Sequence, residues 1–408
     1  MSLEFVKLIS QVQTMGGYLG HRAHTLTSRL ATALAWYHAA GDADRVRDWV
    51  KLVRDPSVSG YRGAAHVPPP YDEAPNLRAR SGEIPPEAAL IAADGSQIYP
   101  DPHGAALYYL TNIGVFTTFY GLPHIPEQMT LPELAYTDTL LEDKDGRTVT
   151  NPTINARRTI AEIQQLAAHA HQRAAQFPQA AIFALHDGGL LKFFSPTEIS
   201  EAVSLEKQYL DGLADLYAAD AVLAGYIART RSTSVVSLLH LLQLEPDEIT
   251  DDNLKTNGAA EGVTDADLFA RVLGYGERSA LFAQNSPQNA TYGKLNSAFE
   301  IAFFYINVGD IRPQIARVEI PMWVAQNARA VSALQAVLVA QCAVQGREKY
   351  PYAMTRADEL AFVKPVEKSQ LDEMVRVAMR QESMDPERSV KLESKGMARA
   401  GRQSHRLG

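Results

Sequence analysis

The chain carries one cysteine, Cys342, which excludes an intrachain disulfide and any zinc site built on paired thiolates. A reducing, cytoplasmic setting is therefore expected. Long apolar runs are also missing: no stretch approaches the ~18 residues that a membrane span needs. The opening MSLEFVKLISQVQTMGGYLG has no sustained apolar region ending in a small-residue cleavage site, so it does not read as a signal peptide. No GxxxxGK[ST] phosphate loop occurs, which removes ATP hydrolysis by this chain and assigns any motor to a partner. GxSxG and HExxH are absent too, and with them the serine-hydrolase elbow and the zincin helix. Positive charge is in deficit, 39 Lys and Arg against 47 Asp and Glu for a net charge of −8. That balance disfavours indiscriminate coating of nucleic acid, yet it permits a local basic channel beside an acidic site.

What remains is an ordinary globular composition in 408 residues, enough for one large elaborated domain or two smaller ones. Residues 1–60 read as a helical segment, with Leu30, Leu34, Trp36 and Val46 set among polar positions. A proline-rich stretch over 61–86, containing Pro68-Pro69-Pro70, reads as a linker or an extended wrap. From Glu87 the pattern turns to short apolar runs, AALIAADGSQIY, ALYYLTNIGVFTTFYG and ELAYTDTLL, rich in strand formers. Asn155–Gln176 then shows helical spacing, and Ala181–Leu185 is a compact strand ending at His186-Asp187-Gly188-Gly189. The order is strand, strand, strand, helix, strand. Further on, Glu198–Ala219 and SVVSLLHLLQL read as helices, and VLAGYIART, AFEIAFFYINV and IARVEI as strands. Met322–Gln345 is an alanine-rich helix, 366–408 holds a helix and a tail, and from Lys391 that tail has five Lys or Arg against one Glu.

Two of the apolar strands deliver an aspartate at the same kind of terminus, Asp94 after ALIAA and Asp187 after IFALH. Each Asp-Gly is by itself a common turn dipeptide. If the strands are neighbours, both carboxylates converge on one cation. Glu162 lies on the intervening helix at the margin of its core-facing stripe, and a solvated pair with Arg158 at i−4 accounts for it equally well. Phosphodiester cleavage calls for such a cluster, because carboxylates hold the divalent ions that neutralise the scissile phosphate. An all-oxygen donor set favours Mg²⁺ or Mn²⁺ over zinc. Arg229 and Arg231 flank a strand end and are candidate phosphate contacts, with Arg278 and Arg356 as weaker ones. Phe303, Phe304 and Tyr305 sit in one apolar run and read as core. His186 is expected to face away from Asp187 across the strand, with no ligand role.

An ordered set of segments resembles the NurA family of nucleases: AADGSQIYPDPHGAALYYLTNIG, RRTIAEIQQL, FALHDGGLL, GYIARTRS, GERSALF, FFYINVGDIRPQIARVEIPMWVA and YPYAMTRADELA, spanning 88–365. The resemblance implies an α/β fold, a ribonuclease H-like mixed sheet flanked by helices over 87–365. It further implies a homodimer and a Mn²⁺-dependent 5′ to 3′ exonuclease with two ions per site and some single-strand endonuclease activity. DNA is the implied substrate and a HerA-type hexameric ATPase the implied partner, in DNA-end processing or antiphage defence. Asp94, Glu162 and Asp187 fall on the family's metal carboxylates. Tyr350 falls on the tyrosine of the family's Tyr-Pro pair, where it either orients water or a phosphate oxygen or packs as an amphipathic ring beneath a Pro-containing turn, and Asp358 stands where the family has a metal-binding histidine. That departure keeps an oxygen ligand and loses imidazole chemistry. It also leaves a second reading, a catalytically silent adaptor or nucleic-acid-binding subunit of such a motor.

Overall fold

A computed structural model describes residues 4–54, 60–67, 73–143 and 145–384. The elements begin with α1 (Ile9–Ala39), α2 (Ala43–Val53), β1 (Ala64–His66) and β2 (Arg78–Ala79). Next come β3 (Ala88–Ile98), β4 (Tyr109–Tyr120), β5 (Glu127–Ala135), α3 (Asp138–Leu141), α4 (Asn151–Gln176), β6 (Ala181–Asp187) and α5 (Ala202–Ala218). They continue through β7 (Val222–Ile227), α6 (Ser234–Leu241), α7 (Asp251–Leu254), α8 (Asp265–Val272), β8 (Arg278–Ser279), β9 (Phe282–Gln284) and α9 (Pro287–Leu295). The last are β10 (Ile301–Asn307), β11 (Ile315–Pro321), α10 (Met322–Ala325), α11 (Ala328–Ala343), α12 (Tyr352–Ala361) and α13 (Pro365–Gln381). They assort into two compact units, neither contiguous in sequence.

One unit comprises 86–187, 192–221 and the chain from Tyr352 onward. Its sheet runs β5-β4-β3-β6, with β3, β4 and β5 an antiparallel meander and β6 parallel to β3. Reaching a parallel position requires a crossover, and α4 supplies it. Three antiparallel strands, a helix, then a strand parallel to the first is the order expected of a ribonuclease H-like core. Ala88–Ala93 is buried throughout, as a continuous apolar run covered on both faces should be. Thr150 caps α4 by accepting from the Thr153 N–H, and the helix buries Ile154, Ile160, Ile163 and Leu166.

The other unit comprises 1–85, 188–191 and 222–351. Its antiparallel sheet runs β1-β9-β10-β11-β7, with β8 on β10 and β2 on β8. Phe303, Phe304 and Tyr305 are fully buried in β10, as read from their apolar run. Asp42 separates α1 from α2 by capping the second helix, accepting from the Asp44 and Arg45 N–H groups.

Three elements differ from expectation. The stretch read as a linker contains β1 and β2 and buries Tyr61, Ala64, Ala65 and Val67; β1 pairs with β9 some two hundred residues on, a contact that leaves no local signal. The third strand, β5, begins upstream of ELAYTDTLL and takes in only its first three residues, while the end of that run forms α3. β5 is a mostly exposed strand bearing Pro132, so it has no apolar run to mark it. The helix read over Met322–Gln345 breaks into α10 and α11 where Asn327 turns to cap the second piece. The basic tail from Lys391 lies outside the described residues.

Candidate metal centre

Sheet register builds the site. β3 and β6 run parallel with Ala93 opposite His186, so the next residue of each, Asp94 and Asp187, falls at the same level of the sheet; β6 ends there, but β3 runs on to Ile98, so Asp94 lies half-buried inside its strand and not at the exposed strand end expected of it. On the other side of β3, Asp94 pairs with Gly114 of β4. A Cβ at Gly114 would stand 2.4 Å from the Ala357 carbonyl oxygen, so α12 lies directly on the bare strand there. Asp358 follows Ala357 and is thereby delivered beside Asp94. The helix end is fixed by Ser96 Oγ donating to the Ala361 carbonyl at 2.5 Å and Asn112 Nδ2 donating to it at 2.8 Å. Glu162 enters from α4 over Gly95, where a Cβ would meet both Glu162 Oε1 and Arg158 Cγ at 2.7 Å.

The four carboxylates form a gradient from core to solvent: Glu162 buried, Asp94 half-buried, Asp187 and Asp358 exposed. Burial, opposed by the Gly95 N–H and reinforced by the charges of Asp187 and Asp358, pushes Asp94 up to about 6, and Asp358 is also its hydrogen-bond partner. Burial is likewise the main cause that lifts Glu162 to about 8; Arg158 and Lys192 oppose it while Asp94 and Asp187 add to it. Carboxylates whose protons are held first by burial and then by one another's charge form a candidate cation site. Among the described residues no three of them close to coordination distance. The cluster is within Coulomb reach and open, and its all-oxygen donors fit a hard divalent ion.

Glu162 carries the best evidence of that fit. Its Oε1 lies 3.1 Å from Arg158 Nε, yet both atoms lack the alignment of a hydrogen bond and are buried without one. Arg158 is held from behind by Gln97 Oε1 at 2.9 Å, and Gln97 in turn by Tyr99 Oη at 2.9 Å. Of the two accounts of Glu162 offered by the sequence, the core-facing one holds; Arg158 does lie beside it, but Glu162 is buried there and not solvated as the alternative had it. His186 is buried with Nδ1 3.9 Å from Glu162 Oε2, and burial beside Lys192 and Arg158 keeps it neutral. The strand-alternation argument therefore missed that His186 approaches Glu162, because it considered only Asp187. Lys192 was missed as well; the GGLLK run after Asp187 was its only trace.

The remaining candidates belong to the other unit or are already engaged. Tyr350 belongs to the other unit, half-buried with its ring edge-on to Tyr226 at 5.4 Å. Arg229 is exposed and pairs with Glu348 at 3.1 Å, and Arg231 is exposed. Arg278 is buried and forked onto Glu73 at 3.0 and 2.7 Å, so its guanidinium ties β8 to the proline-rich stretch. Arg356 pairs with Glu359 on α12.

The family model of the NurA domain matches residues 88–363. No curated protein matches the chain. Among solved structures, the NurA nuclease from Sulfolobus solfataricus is similar at 12% identity and a TM-score of 0.47, covering 72% of this chain and 85% of that one. A structure of NurA with manganese has 8% identity, a TM-score of 0.40 and coverages of 73% and 91%. NurA bound to dAMP and manganese has 11% identity, a TM-score of 0.31 and coverages of 70% and 88%. With more than half of its length matched by the family model, the chain belongs to the NurA family.

Proposed function

We propose that the protein is a metal-dependent DNA nuclease whose active centre is the Asp94, Glu162, Asp187 and Asp358 cluster. The observation that carries this reading is the approach of four carboxylates from two neighbouring parallel strands and two helices, in a chain of a family with manganese-bound members. Divalent ions, Mn²⁺ or Mg²⁺ and two per site, would supply charge neutralisation of the phosphate and activation of water. The chain's own part is to hold them. Asp94 and Asp187 are fixed by strand register, Glu162 closes the buried side, and exposed Asp358 faces incoming substrate. Arg158 keeps Glu162 partly compensated, and Gln97 fixes where that guanidinium sits. Tyr350 is assigned to orienting water or a phosphate oxygen, and Arg229, Arg231 and Arg356 to the phosphate backbone. A homodimer working with a HerA-type hexameric ATPase, in DNA-end processing or antiphage defence, rests on family resemblance and on the missing phosphate loop.

The test is to incubate the purified protein with end-labelled single- and double-stranded DNA, with Mn²⁺, Mg²⁺ or EDTA, with and without such an ATPase. Metal-dependent 5′ to 3′ product ladders are expected. Intact substrate under every condition, with DNA or ATPase still bound, would replace this reading with that of a silent adaptor.

A further inference from the structure

The turn between β10 and β11 carries the most exposed large apolar side chain among the described residues of its unit. Ile311 at its tip is 90% exposed, although the turn itself is firmly held. Asn307 Oδ1 accepts from the N–H groups of Gly309 and Gln314, both at 3.0 Å, and Asp310 Oδ1 accepts from the Ile311 N–H at 2.9 Å. Opposite stands the segment 346–349. Gln314 cross-links the two walls, donating to the Arg347 carbonyl at 3.0 Å and accepting from the Lys349 N–H at 3.0 Å. Lys349 Nζ also reaches Asp310 at 3.4 Å. A groove of about 620 Å³, cross-linked by these contacts, lies between the walls. A second cavity of about 470 Å³ shares Gln314, Glu348 and Lys349 with it and continues to Tyr350.

The groove inverts the charge of the molecule. Acidic residues outnumber basic ones in the chain as a whole, 47 to 39. Along these two cavities the basic side chains are Arg229, Arg312, Arg347 and Lys349, against Asp310 and Glu348. Glu348 is taken up by Arg229 and Asp310 by Lys349. Arg312 and Arg347 are exposed and carry no ion pair among the described residues. Two uncommitted guanidinium groups beside a braced, exposed aliphatic tip match a chain of phosphates with unstacked bases. A groove of about 620 Å³ is too narrow for a duplex to enter, whereas a single strand can lie along it.

We propose that this groove binds single-stranded polynucleotide, with Arg312 and Arg347 on backbone phosphates and Ile311 against a base face. The inference rests on the nuclease reading for its biological sense, but not for its test. Binding of a fluorescent oligothymidylate of about 20 nucleotides is followed in EDTA across a salt series, for wild type, Arg312→Ala/Arg347→Ala and Ile311→Ser. Losing two phosphate contacts should flatten the log-log salt slope by about 1.4 and weaken binding at least tenfold at low salt. Ile311→Ser should weaken binding about threefold to tenfold with the slope unchanged. Unchanged affinity and slope in the double variant would overturn the proposal. So would a polyglutamate peptide that competes as well as the oligonucleotide, since the groove would then serve an acidic protein partner. Failure of wild type to bind any oligonucleotide would overturn it too. Cleavage by wild type in Mn²⁺ is scored separately. An enzyme that cuts while the variants bind normally loses only the groove, and one that binds through the groove without cutting loses only the nuclease.

Discussion

The charge on Glu162 is the costliest in the centre, and neutralising it should separate stability from activity. A carboxylate raised from 4.5 to about 8 binds its proton more tightly in the folded chain than in the unfolded one. Its contribution is therefore fully present below pH 4.5 and is lost as pH rises through 8, a change on the order of 5 kcal/mol at ~1.36 kcal/mol per pH unit. Glu162→Gln should accordingly raise the melting temperature of the metal-free protein by several degrees at pH 8.5, leave it nearly unchanged at pH 5, and lower cleavage more than a hundredfold. Calorimetry showing a lower midpoint at pH 8.5 would mean that the Arg158 contact outweighs the desolvation. Asp358 gives a second residue-scale test: Asp358→Ala should weaken metal activation strongly, while Asp358→His should cut with a shifted preference among Mn²⁺, Mg²⁺ and Co²⁺. Equal half-saturating Mn²⁺ and equal maximal rate in Asp358→Ala would remove it from the site. Asp94 and Asp187 were legible because each follows a continuous apolar run, although only Asp187 ends its strand and β3 continues past Asp94 to Ile98. Glu162 was only half legible, since helical periodicity places a side chain on a face but does not say whether a neighbour's missing Cβ admits it to the core. Gly95 decides that, and one sequence offers no sign of it.

Among the elements, α12 meets the sheet backbone to backbone at one glycine. It touches β3 and β4 through bare backbone at Gly114, where a methyl group would sit 2.4 Å from the Ala357 carbonyl oxygen and 2.6 Å from the Ala361 nitrogen. Neither backbone atom can rotate away, so Gly114→Ala must lift the helix, at a cost of about 1–3 kcal/mol. Asp358 would move with it. Expected together are a lower melting temperature and a Mn²⁺ requirement raised as in Asp358→Ala, whereas a variant with wild-type metal titration would show that α12 does not place Asp358. α1 offers the opposite case. Ala33 and Tyr37 are buried near its C-terminal end, while Phe5, Ile9, Val12, Met15 and Leu19 all stand exposed. Removing residues 1–20 should therefore leave the thermal midpoint almost unmoved, where Tyr37→Ala should cost about 3–5 kcal/mol. Elements that bury a periodic face, such as α4, β3 and β6, were readable from the sequence. β1, β2 and β5 were not, because a short or exposed strand is defined by its partner, and that partner can lie anywhere along the chain.

For the whole molecule, metal binding, protonation and folding are one linked equilibrium. Near neutrality the metal-free centre retains most of a proton on Glu162 and little on Asp94, given values of about 8 and about 6. A divalent ion requires ionised carboxylates, so binding must expel that proton. Mn²⁺ titrated calorimetrically at pH 7 in two buffers of different ionisation enthalpy should show release of about one proton per centre. Apparent affinity should rise roughly tenfold from pH 6.5 to 7.5 and level off above about 8, where Glu162 is already ionised. The stabilisation of the folded chain by Mn²⁺ should follow the same curve, because an ion that binds only the native state raises stability by its own binding free energy. Glu162→Gln should abolish the buffer dependence while leaving weaker binding through the remaining carboxylates. If the heat of Mn²⁺ binding to the wild type is the same in both buffers, Glu162 is not a ligand, and its burial beside Arg158 is a feature of the core alone.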